Sequence, residues 1–169
     1  IGYLALVLHA HLPFVRHPES DFVLEEEWLF EAITETYVPL LTMFEGLKRD
    51  GIDFKLTMSM TPPLSSMLRD PLLQERYDVH LTQLEELLEK EIAYNEHNGH
   101  IKYLAEYYTN EFANVRKVWE QYDGDLTKGF RKFLESGNLD IITCGATHGY
   151  LPLMKMYPEA VWSQIEVAC

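Results

Sequence analysis

Apolar residues run unbroken through positions 3–8 and stop at His9-Ala10-His11-Leu12-Pro13. The pattern predicts a buried first strand over residues 3–9, with chemistry held where it leaves the core, and Pro13 forbids regular strand pairing beyond. Over residues 25–48 the spacing becomes helical: Trp28, Leu29, Ala32, Ile33, Leu40, Leu41, Phe44 and Leu47 recur on one side, with Pro39 set to bend or interrupt the run. Gly51 predicts a turn and residues 54–60 a second strand. Thr61-Pro62-Pro63 predicts a stiff loop that stops the strand before a short helix over 64–69. Residues 71–136 are strongly helical, with Leu81, Leu84, Leu88 and Ile92 on one face and Leu104, Tyr108, Val115, Trp119 and Tyr122 on another, and Gly99 between two helices. That length far exceeds a minimal crossover and reads as a large helical insertion covering one side of the sheet.

Residues 139–143 predict a third strand, which runs straight into a polar, glycine-bearing turn over 144–152 and echoes the ending of the first. Strands separated by helices make this an α/β chain with a parallel sheet. Pro158 opens a helical pattern through Ala160, Val161, Ile165 and Val167 that halts at Cys169 with neither a capping glycine nor a polar exit. Three parallel strands would also leave an unprotected edge. The expectation is therefore that residues 1–169 are the N-terminal portion of one longer domain.

Composition narrows the partners. At 169 residues and 47% hydrophobic content the chain can bury a core of its own. Its net charge of -13 at pH 7 would repel phosphate backbones and anionic headgroups, which excludes nucleic acid and membrane as main partners and leaves a neutral substrate unaffected. Two cysteines, Cys144 and Cys169, make no disulfide framework and fit a reducing, cytoplasmic setting. The apolar start has no basic leader or cleavage site and is too short to span a membrane.

The candidate chemistry is imidazole. Residues two apart on an extended segment point to one side, so His9 and His11 can converge, and His148 stands in the turn after the third strand. One such histidine reads as structural, whereas three at two aligned strand ends read as a site. From the residues alone, three imidazoles could ligate a metal with an open position for water, as in hydrolytic zinc enzymes. No Asp or Glu stands beside His9 or His11 to serve as ligand or base, and this reading ranks second. His17, His80, His97 and His100 are expected to be solvated, and Glu25-Glu26-Glu27 and Glu85-Glu86 to be exposed helix faces.

His9-Ala10-His11-Leu12-Pro13-Phe14 and the run Cys144-Gly145-Ala146-Thr147-His148-Gly149-Tyr150-Leu151-Pro152-Leu153 resemble the first two signature regions of glycoside hydrolase family 57, most nearly in its α-1,4-glucan branching enzymes. Glu27-Trp28-Leu29-Phe30-Glu31-Ala32 and Pro62-Pro63-Leu64 resemble the stretches after that family's first and second strands. The resemblance implies an incomplete (β/α)7 barrel acting on α-glucans such as glycogen or amylose by a retaining mechanism that cleaves α-1,4 links and forms α-1,6 links, without cofactor or metal. It further implies substrate contacts at His9, His11, Trp28, Thr147 and His148. Retention needs two carboxylates about 5 to 5.5 Å apart, one attacking the anomeric carbon and one protonating the leaving oxygen. The family carries them in third and fourth signature regions that these residues lack, so the chain alone is expected to be inactive. Alternatives are an amylase or glucanotransferase of the same family, or a non-catalytic glucan-binding module.

Overall fold

In the computed structural model, which describes residues 2–20 and 23–168, three parallel strands lie side by side in the order β1 (Val7–Ala10), β2 (Leu56–Met60), β3 (Leu139–Ile142). The ladders pair His9 with Ser59 and Ser59 with Ile142, so all three strands end at one level of the sheet. Alternation sorts the side chains. Ala10, Met58, Met60 and Leu139 are buried on one face, while Val7, His9, Asp140 and Ile142 stand exposed on the other.

Helices α1 (Leu24–Ala32) and α2 (Val38–Arg49) are joined without a break by a π turn, Ile33–Tyr37. Pro39 therefore does not interrupt the run. Proline has no N–H to give to the preceding turn, and the wider turn, in which the Val38 N–H reaches back to the Ile33 carbonyl, lets the chain pass it. Gly51 makes the expected turn at φ 70°, a left-handed conformation that a side chain would oppose.

The expected stiff loop at residues 61–63 is instead the start of α3 (Pro62–Leu68). Thr61 is the N-cap, its Oγ1 accepting from the Leu64 N–H at 3.5 Å, and Pro62 and Pro63 fill first-turn positions whose N–H groups would have no helical partner anyway. The helical stretch contains three helices rather than two: α4 (Pro71–Tyr94), α5 (Gly99–Gln121) and α6 (Thr127–Glu135). Gly99 opens α5 behind the capping side chain of Asn98. The short α7 (Leu151–Met154) and α8 (Pro158–Glu166) follow β3. Cys169, on which the cysteine count and the expected abrupt end both bear, lies outside the described residues.

One continuous core joins these helices to the buried face of the sheet. Leu29, Leu41 and Phe44 pack with Met58, Leu64, Tyr77, Phe130 and Phe133. Tyr77 meets Trp119 edge-on at 4.6 Å between ring centroids, and Phe44 meets Phe133 at 5.2 Å. Such edge contacts add to what area burial alone supplies. The predicted second apolar face of the helical stretch holds only in part: Val115, Trp119 and Tyr122 are buried, whereas Leu104 and Tyr108 are exposed because the far halves of α4 and α5 pack mainly on each other. The first strand is shorter and more exposed than expected, since β1 is an edge strand and Tyr3 and Leu4 lie before its ladder. Among the described residues no helix is long and apolar enough to cross a membrane.

Two polar expectations are corrected. Glu26 is not on a solvated face but 2% exposed, paired with Arg76 of α4 and accepting the His17 N–H. Arg76 also donates to the His17 and Ser20 carbonyls, so this pair pins the segment after His11 to α4. His80 is not free in solvent either; its ring lies 5.1 Å from that of Phe30 and 3.4 Å from a Glu27 carboxylate oxygen. Replacing one member of a buried ion pair strands the other's charge. Arg76→Met should therefore lower the unfolding free energy by roughly 3 kcal/mol, read from urea denaturation. A loss under about 1 kcal/mol would mean that the pair behaves like a surface ion pair.

Candidate active site at the strand ends

The level ends of β1 and β2 place like beside like. His9 and Ser59 are ladder partners, and two residues on, past the end of both strands, His11 stands beside Thr61. Each imidazole uses its Nδ1 toward the neighbouring hydroxyl, His9 to Ser59 Oγ and His11 to Thr61 Oγ1 at 3.2 Å. That contact ties down one nitrogen of each ring and leaves Nε2 to other partners. Ser59 and Thr61 are themselves buried and cannot swing away.

The third ring arrives from the loop after β3. The centroid of His148 is 4.1 Å from His11 and 5.1 Å from His9, and His9 and His11 are 5.8 Å apart. The convergence expected from sequence is met across two separate strand ends. His148 takes φ 56°, a left-handed conformation uncommon outside glycine, with its N–H donating to the Gly145 carbonyl at 2.8 Å. Held backbone strain of this kind gathers at functional sites.

The rings of His11 and His148 open on a groove of about 690 Å³, lined also by Phe14, Pro62, Pro63 and Thr147 among others and by no carboxylate, and His9 is not part of this lining. Its walls offer apolar surface beside nitrogen and hydroxyl groups. Trp28 stands apart, 49% exposed on α1 and outside this lining. His17, His97 and His100 lie away from the cluster, His17 against Glu19 and the other two exposed. Among the described residues no group of three or more His, Cys, Asp or Glu side chains is arranged to hold a metal ion, so the second-ranked three-imidazole metal centre has no geometric support. At Cys144, two residues past β3, burial pushes the thiol above its usual range, and Sγ donates to the Gly145 carbonyl.

Burial lowers the His11 pKa below its ordinary 6.5, and the neighbouring His148 and His9 lower it further, because a proton there would be poorly solvated and repelled. His11 therefore stays neutral at neutral pH and presents one ring nitrogen rather than a cation. Sequence reasoning missed Ser59 and Thr61. The signal was present, since Ser59-Met60-Thr61 repeats the spacing of His9-Ala10-His11 at the end of the adjacent strand.

Residues 5–168 match the model of glycosyl hydrolase family 57. A 1,4-alpha-glucan branching enzyme of Thermococcus kodakarensis is 36% identical over 165 residues, which cover 97% of this chain and 24% of that protein. The crystal structure of the alpha-amylase AmyC from Thermotoga maritima superposes with a TM-score of 0.92 at 49% identity, covering 97% of this chain and 31% of that one. The GH57-type branching enzyme of Pyrococcus horikoshii gives 0.84 at 31%, covering 96% and 33%. The chain thus spans a quarter to a third of the length of these relatives.

The lowered pKa of His11 has a sign that can be checked. The folded state binds fewer protons there than the unfolded chain, so this contribution to stability is complete above the unfolded value of 6.5 and is lost as pH falls through the lower folded value. Thermal midpoints should drop between about pH 7 and about pH 5, with a shallower drop in His11→Asn. Equal slopes for parent and variant would remove His11 from the account.

Proposed function

The chain belongs to glycosyl hydrolase family 57, and from that premise we propose that it is the substrate-gripping part of an α-1,4-glucan branching enzyme. His11, Thr147 and His148 would hydrogen-bond the hydroxyls of a glucan chain lying in the groove, His9 would do so from beside it, and Trp28 would offer its exposed face to a more distant glucose ring. The observation that carries this reading is the cluster itself. Three rings stand within 5.8 Å of one another, two of them anchored through Nδ1, beside a groove without carboxylates. The neutral His11 imidazole suits neutral hydroxyls, which both donate and accept, and Phe14, Pro62 and Pro63 supply apolar faces for sugar C–H groups.

In this reading the chain orients and the rest of the protein reacts. One carboxylate outside these 169 residues attacks the anomeric carbon and releases the leaving glucan, which the second protonates. That second group then takes the proton of an incoming 6-hydroxyl, whose oxygen displaces the first carboxylate from the anomeric carbon as the α-1,6 link forms. Residues 1–169 alone would turn over nothing. The three strands would begin an incomplete seven-stranded barrel, with the face bearing His9 toward its interior and the helices of residues 71–136 as an insertion. The setting would be cytoplasmic.

A second reading, hydrolysis by an amylase of the same family, is favoured by the 49% identity to the Thermotoga maritima alpha-amylase. Products separate the two. On amylose the complete protein should build α-1,6 links, seen by proton NMR, with little gain in reducing ends; reducing ends rising without α-1,6 signal would make it an amylase.

Contacts that strengthen in the transition state act on turnover more than on folding. His11→Ala or His148→Ala in the complete protein should therefore cut activity about tenfold or more while the thermal midpoint stays within a few degrees. Full activity in both variants would end the sugar-contact assignment.

A further inference from the structure

The loop over residues 145–149 carries two of the proposed sugar contacts but is poorly buried. Thr147 and His148 are exposed, and only Ala146 reaches the interior. Little packing therefore bears on the left-handed conformation of His148, 4.1 Å from His11. Hydrogen bonds from three consecutive N–H groups bear on it as well. The His148 N–H stays within the loop, at the Gly145 carbonyl. The other two go to one residue of α8: the Ala146 N–H to the Gln164 carbonyl at 2.8 Å, and the Thr147 N–H to Gln164 Oε1 at 2.9 Å. The same amide closes the contact from its other side, Nε2 donating to Thr147 Oγ1 at 2.8 Å.

Gln164 thus grips Thr147 by backbone and side chain at once, using both ends of a planar group that can donate and accept. The loop is shaped around it. A Cβ at Gly145 would come within 3.0 Å of Gln164 Oε1, so a side chain there would push the amide out of place.

We propose that Gln164 is the positioning residue of this site: its amide brace sets the 145–149 loop and thereby holds Thr147 and His148 against the glucan. The inference rests on the sugar-contact reading above for its effect on turnover, but not for its effect on the loop. An unbraced loop would let the strained backbone at His148 relax and the ring leave the cluster.

Gln164→Met keeps helix propensity and bulk, removes both amide contacts and leaves the backbone bond to Ala146 in place. In the complete protein, hydrogen exchange of a peptide spanning residues 144–150 should speed up about tenfold in this variant. The value of kcat/KM on amylose should fall about tenfold in the parent background and less than about threefold in a His148→Ala background, because the brace acts through the loop that carries His148. Gln164→Glu keeps oxygen acceptors for the Thr147 N–H and hydroxyl and should stay within about threefold of the parent in both measurements. Unchanged exchange in Gln164→Met overturns the brace whatever the activity. So does an equal loss of activity in both backgrounds, and so does Gln164→Glu exchanging as fast as the Met variant. If His148→Ala is fully active while exchange still rises in Gln164→Met, the glucan reading fails and the brace stands.

Discussion

Two parallel ladders decide where everything else in this chain stands. Pairing β1 to β2 in the register that sets His9 beside Ser59 brings the ends of both strands to one height, and β3 joins with Ile142 beside Ser59. A parallel ladder admits no slip of a single residue, because each such step would carry every side chain to the opposite face. With Ala10, Met58, Met60 and Leu139 committed to the core, the histidine face is fixed without any further specification. The long helical stretch serves this arrangement from the other side. It buries the apolar face of the sheet and, through Arg76 and Glu26, also ties down the segment that leaves His11.

What could be read in the residues, and what could not, divides along the range of the interactions. Strand cores, the helix over residues 25–48, the turn at Gly51 and the helix from Pro158 depend on local spacing, and all of them are present. The meeting of His9, His11 and His148 was foreseeable because each stands two steps or fewer from a strand end or its turn, and parallel strands share their ends. Features that depend on a partner distant in sequence were hidden. Glu26 looks solvated until Arg76, fifty positions on, is placed against it. Leu104 and Tyr108 show a helical stripe but stand exposed on a helix that packs mainly on α4. Gln164 had no signal, since nothing in a short amphipathic helix marks the residue that will reach back to a loop. The misread at residues 61–63 has another cause: a threonine followed by two prolines both ends a strand and begins a helix, and here the second role begins immediately.

Branching and hydrolysis differ only in what accepts the cleaved chain, a sugar hydroxyl or water. The relatives divide on this point, with amylase and branching enzymes sharing the same arrangement of the matched residues at TM-scores of 0.92 and 0.84. Holding one glucan chain still is common to both outcomes. A segment proposed to do only this would have no reason to differ between them.

The hydroxyls behind His9 and His11 have one more effect. Ser59 Oγ and Thr61 Oγ1 can each supply a hydrogen to Nδ1 or receive one from it, by rotation about a single bond. Each ring can therefore take either tautomer, with Nε2 carrying a lone pair or an N–H, and passing between them takes a proton from one ring nitrogen into solvent and returns one to the other while the protein's heavy atoms stay in place. On the sugar-contact reading, a wall whose tautomers can exchange would meet alcohols in changing orientations without a preferred phase.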